Sequence, residues 1–177
     1  MKQIIPRLKS APAVLLTSAN MTDSKNKTSM LETSMGVIVP FIEEQLSVGG
    51  KVKFSPRGVS MLPMLRQGRD SVIFSPVPER LKKYDLPLYR RDNGKYILHR
   101  IVGAGERYTC CGDNQYDYEY GLRHDQMIAL VTGFTRGDKE HSVDEFAYKL
   151  YCRLWHYSRP VRCFLHRGLG WLRRHLR

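Results

Sequence analysis

A mainly β domain with flanking helices, an α+β arrangement, is predicted by three observations. Apolar residues recur at helical spacing before Gly49-Gly50, short β-forming runs bounded by turn residues follow, and helical spacing returns after Phe146. At 177 residues, 42% of them apolar, the chain has room for one such domain with its own core. It has no apolar run of about 18 residues, so no bilayer-spanning helix is expected.

The first 28 residues are polar and basic apart from the stretch from Ala11 to Leu16. Lys2, Arg7 and Lys9 precede that stretch, and small Thr17 and Ala19 follow it as at a signal-peptide cleavage site. The apolar part is shorter than a secretory signal needs and is interrupted by Pro12, so residues 1–28 read as a disordered basic leader. The domain is expected over 29–145. It opens with a helix over 29–48, where Ser29-x-x-Glu32 fits a capping box and Ile38, Phe41, Ile42 and Leu46 share a face. Pro40 is placed to bend this helix and Gly49-Gly50 to stop it. A β-rich core over 50–135 follows, with strands expected at 52–54, 71–75, 86–90, 95–102, 107–111 and 127–134. Asp92-Asn93-Gly94 is a hairpin signal that would bring His99 back along the sheet.

Residues 146–177 read as a basic amphipathic helical tail. Its cations are Lys149, Arg153, Arg159, Arg162, Arg167, Arg173, Arg174 and Arg177, with no Asp or Glu among them, so most of the chain's net charge of +12 is localised there. Phe146, Leu150, Tyr151, Leu154 and Trp155 form one helical face, and after Pro160 the pattern resumes with Val161, Phe164, Leu165, Leu169, Leu172 and Leu176. Such a face can pack on the domain or lie in an anionic membrane interface. Binding to nucleic-acid phosphate is a third use, but no DNA-binding motif accompanies the charge.

Cys110, Cys111, Cys152 and Cys163 contain no Cys-x-x-Cys, and neighbours in a strand face opposite ways, so neither a zinc site nor a Cys110–Cys111 bridge is expected. Reduced thiols point to a cytoplasmic or peripheral-membrane protein. No metal or organic cofactor is implied. Tyr116, Tyr118 and Tyr120 are expected to pack against the sheet, with substrate contact the other use of such rings.

Three blocks carry chemistry. Gly58-Val59-Ser60-Met61-Leu62-Pro63 is followed by His99-Arg100-Ile101 and then by Gly112-Asp113-Asn114. Taken singly, they are a strand-to-turn serine, a strand histidine and a turn. Taken in order, they supply a nucleophile, a base and an acid, because a serine attacks only when an imidazole takes its proton.

Ser60-Met61-x-Pro63-x-Leu65, Asp85 before an apolar strand, His99-Arg100-Ile101 and Gly112-Asp113-Asn114 together resemble the type I signal peptidase family and its LexA-like self-cleaving relatives. The resemblance spans residues 50–134. A histidine, where bacterial housekeeping signal peptidases and LexA-like proteins place lysine, is similar to the archaeal and endoplasmic-reticulum branch. The resemblance implies that Ser60 attacks, His99 serves as base and then acid, and Glu119 or Asp117 orients the ring while Asp113 supports the loop. Glu119 holds the position of that branch's aspartate, six residues after Asp113. Gly58 stands where signal peptidases often carry a serine, so the oxyanion would fall to backbone N–H groups. Tyr84 stands where a glycine usually precedes Asp85, which suggests a less tight turn. Gly58, Met61 and Pro63 would border a groove for an extended peptide with small residues before the cut. The competing expectation is a peptidase-fold binding or regulatory module without turnover.

Overall fold

The computed structural model describes residues 14–16 and 24–165, with side chains from residue 35 onward. Ten strands, β1 (Val14–Leu16), β2 (Val52–Phe54), β3 (Asp70–Ser75), β4 (Pro87–Arg90), β5 (Tyr96–Leu98), β6 (Arg100–Ala104), β7 (Tyr108–Cys111), β8 (Glu119–Leu122), β9 (Met127–Arg136) and β10 (Lys139–Ser142), form two sheets. Helices α1 (Ser24–Ser47) and α2 (Phe146–Tyr157) flank them, and residues 159–165 are helical. The mainly β, α+β class is as expected.

The larger sheet runs β1-β2-β3-β9-β4-β5, with β10 also paired to β9. Apart from the parallel β1–β2 pair its ladders are antiparallel. β6, β7 and β8 form a separate antiparallel sheet. One core joins Val39, Ile42 and Leu46 of α1 to Val72, Phe74 and Val131 of the large sheet and to Tyr148 and Cys152 of α2. A second holds Leu81, Tyr89, Ile101, Tyr108, Cys110 and Leu122 between the sheets.

Several expectations are corrected. α1 begins at Ser24, five residues before Ser29, and β1 lies inside the leader expected to be disordered. Val14-Leu15-Leu16 is short, but its apolar residues suit a strand that finds β2 as partner. In α1, Val39 is buried while Phe41 is half-buried. α1 stops where expected: Gly49 takes a φ of 76°, and the Gly50 and Gly49 amides donate to the Gln45 and Leu46 carbonyls, each at 3.0 Å. That pair of bonds is a Schellman cap.

The run expected as one strand over 95–102 is two, because the chain leaves β4's side at Leu98 and joins β7 at Arg100. His99 is the residue at the crossing. The Asp92-Asn93-Gly94 turn does close the β4–β5 hairpin, with Gly94 at a φ of 83°. Tyr84 adopts a φ of 80°, so the turn before Asp85 keeps the left-handed geometry that glycine favours. The backbone pairs there with β6, through Tyr84 N–H to Ile101 O and Ile101 N–H to Asp85 O, both 2.8 Å.

Over its described residues, as far as 165, the tail is not a separate unit. α2 packs Tyr148 and Cys152 into the main core, and Tyr151 and Trp155 lean on the loop after β7. The single apolar face expected for it is divided, since Phe146, Leu150 and Leu154 stand exposed on the other side. Arg162 is no solvated cation either; its guanidinium lies 3.6 Å over the Trp155 ring. Residues 166–177, including Leu169, Trp171, Leu172 and Leu176, and Thr17 and Ala19 of the leader lie outside the described residues. Among the described residues no helix is long and apolar enough to cross a membrane.

Candidate active site

Ser60 sits in a turn between β2 and β3 that coils on itself, with Leu62 N–H donating to Val59 O at 3.2 Å and Leu65 N–H to Met61 O at 2.9 Å. Buried Met61, Met64 and Leu65 plug this turn into the core. It is also latched to the Gly112-Asp113-Asn114 loop. Asn114 N–H donates to Ser60 O at 2.8 Å, and Asn114 Nδ2 to Val59 O at 3.2 Å. A Cβ on Gly112 would lie 2.7 Å from Ser60 O, so only glycine lets the two loops close to this distance.

Asp113 anchors that loop from beneath. Its carboxylate accepts from Arg100 Nε and Nη2, each at 2.8 Å, and from the Tyr151 hydroxyl at 3.1 Å, while its carbonyl accepts from Trp155 Nε1 at 2.8 Å. Arg100 is itself buried and reaches Tyr148 Oη at 2.9 Å and Tyr84 O at 3.1 Å. With both oxygens engaged by Arg100 and Tyr151, Asp113 makes no hydrogen bond to His99.

His99, 5% exposed, stands between two concavities. One, of about 130 Å³, is lined by Gly58, Ser60, Met61, Leu65, Ile97 and His99. The other is an open cleft of about 630 Å³ bordered by His99, Arg91, Asn114, Asp117, Tyr118 and Glu119. Ser60 and His99 thus share one cavity, and no hydrogen bond joins them. Pro63 is exposed and borders neither concavity, unlike Gly58 and Met61. The Gly58 amide donates to Gln67 Oε1 at 2.8 Å, whereas the Ser60 amide has no acceptor among the described residues.

The two carboxylates considered for the third member differ in placement. Asp117 is exposed, and its backbone carbonyl accepts from Cys111 Sγ at 2.9 Å. Glu119 is half-buried and held by Arg91, Nε to Oε1 at 2.7 Å and Nη2 to Oε2 at 2.5 Å. Its Oε2 also accepts from the Tyr89 hydroxyl at 2.8 Å, and that hydroxyl lies 3.4 Å from His99 Nδ1. Burial would raise the Glu119 carboxyl, but the hydrogen bonds from Arg91 and Tyr89 outweigh it and hold the group below its usual range. Burial dominates at His99 and lowers its pKa to about 4 against the opposing pull of Glu119. The imidazole is therefore neutral at pH 7, and burial disfavours its protonated form.

The sequence alone points to no role for Tyr89, Arg91 or Arg100. Arg100 adjoins the histidine of its block, but an isolated tyrosine or arginine in a strand carries no pattern of its own. Cys110, Cys111, Cys152 and Cys163 are free, and no cluster of His, Cys, Asp or Glu among the described residues could hold a metal ion. Of the three neighbouring tyrosines, Tyr118 carries the Arg159 guanidinium 4.5 Å over its ring, and Tyr120 is exposed. The chain matches no family model, no curated protein and no solved structure.

Proposed function

We propose that this chain is a signal-peptidase-like serine endopeptidase. The observation that carries the reading is the shared cavity of Ser60 and a buried, neutral His99, brought together from distant segments. In this scheme Ser60 Oγ bonds to the scissile carbonyl carbon as its proton passes to His99. The C–N bond then breaks, and His99 returns the proton to the departing amine. Water, deprotonated by the same imidazole, releases the acyl group. The unpartnered Ser60 amide is a donor for the oxyanion.

Among the described residues β5 ends the larger sheet and pairs only with β4, which leaves its outer edge unpaired beside the Ser60 cavity. An extended peptide would add there as a further strand. Met61, Leu65 and Ile97 leave room in that cavity for a small side chain. The test is labelling with a fluorophosphonate probe: the wild type should react and Ser60→Ala should not. Absence of labelling in the wild type would favour a peptidase-fold module without turnover.

The same reading includes a surface for an anionic membrane. Phe146, Leu150, Leu154, Tyr157, Val161 and Phe164 follow one another at three- and four-residue intervals and are all exposed. Lys149 and Arg153, also exposed, flank the stripe. An apolar ridge bordered by cations suits a lipid interface better than water.

A further inference from the structure

No hydrogen bond joins Glu119 to His99; the hydroxyl of a tyrosine lies within reach of both. Tyr89 is fully buried in β4, beside the bulge at Leu88/Tyr89 that aims its ring. Its hydroxyl is in reach of Glu119 Oε2 on one side and His99 Nδ1 on the other. Glu119, doubly bonded to Arg91, is an ionised carboxylate and can only accept. The phenol proton therefore points at Glu119, and the phenol oxygen offers His99 a lone pair. A neutral imidazole answers that lone pair with an N–H, so Nδ1 carries the ring proton and Nε2 is the basic nitrogen. Nε2 has no hydrogen-bond partner among the described residues.

We propose that Tyr89 is a positioning residue that transmits the orienting influence of Glu119 to His99 and fixes the imidazole in its Nδ1–H tautomer. A hydroxyl thus spans the gap between acid and base. The catalytic consequence rests on the Ser60–His99 reading; the tautomer does not. The arrangement also gives Arg91 a purpose, since it holds Glu119 ionised and so sets the direction of both hydrogen bonds.

The test removes one oxygen. Long-range proton–nitrogen spectra of ¹⁵N-histidine protein at pH 7, with the His99 signals assigned through His99→Gln, should show Nδ1 protonated and Nε2 bare in the wild type. Tyr89→Phe should move the ring toward the other tautomer, and Glu119→Gln, at a more exposed position, should shift it in the same sense. Labelling of Ser60 by a fluorophosphonate should slow about tenfold or more in Tyr89→Phe. Unchanged ring signals in both variants would overturn the proposal. If Tyr89→Phe does not fold, Glu119→Gln alone decides it by the same signals. A wild type that never labels while its ring signals respond would defeat the peptidase reading and leave the relay standing; labelling with unresponsive signals would do the reverse.

Discussion

His99 illustrates how one buried residue ties stability to pH. Its folded pKa of about 4 lies below the ordinary histidine value of 6.5, so the unfolded chain binds a proton more readily than the folded one. The stabilising effect is complete above about pH 6.5 and is lost as the pH falls toward 4. By the usual conversion it is on the order of 3 kcal/mol. Urea unfolding at pH 7 and pH 4.5 should show the wild type losing more stability than His99→Gln does over the same interval. His156, also lowered by burial, acts in the same sense, and the comparison between variants isolates His99. Glu119, held below its usual range, contributes at the acid end of that interval and below it, not near neutrality.

At the scale of elements, α2 is a helix with two apolar faces, and the two have different uses. Tyr148, Tyr151, Cys152 and Trp155 lie against the body, while Leu150 and Leu154 touch water. Replacing Leu150 and Leu154 together by Glu should leave the fold and Ser60 labelling intact and abolish sedimentation with vesicles of mixed neutral and anionic lipid. Salt should weaken wild-type binding only in part, because the charge contribution is screened and the apolar contribution is not. A wild type that ignores such vesicles would end the membrane reading, and steep loss of binding to DNA with salt would point to phosphate as the partner.

For the whole molecule, Arg100 is the tie. Its guanidinium joins β6, the turn before β4, the loop after β7 and α2. Arg100→Ala would strand the buried Asp113 carboxylate, and breaking such a pair costs about 3–5 kcal/mol. Urea denaturation should therefore find Arg100→Ala close to unfolded, if the chain has ordinary domain stability. A loss below about 1 kcal/mol would show that water or Tyr151 can satisfy Asp113 alone.

What could be read beforehand follows from the same division between local and distant forces. β2, β3, β4, β7 and β9 carry apolar or β-branched runs that local preference reveals. β10, Lys139–Ser142, is a mostly exposed strand with no apolar pattern to betray it, and β8, Glu119–Leu122, is too short, with a glycine at its third position, for its Tyr120 and Leu122 to stand out. The crossing at His99 was hidden for another reason. Tyr96 to Val102 looks like one strand, and only the competing partners β4 and β7 divide it. Ser60 and His99 were legible as residues of a block pattern, with Glu119 and Asp117 as alternatives for the third member; Ser60 and His99 share one concavity, and His99 borders the other with both carboxylates. The intervening Tyr89 was not legible, since its role depends on a contact 30 residues away in sequence.

The grip of Tyr151, Trp155 and Arg162 on Asp113 has a consequence in time. Arg162 follows Asp113 by 49 residues, which at about 5–20 residues per second is roughly 2–10 s of synthesis. Until those residues emerge, the loop bearing Asn114 has only part of its anchorage, and the Ser60 turn latched to it is correspondingly loose. The last of this anchorage is therefore made only after the Ser60 turn and the Asn114 loop have both been synthesised.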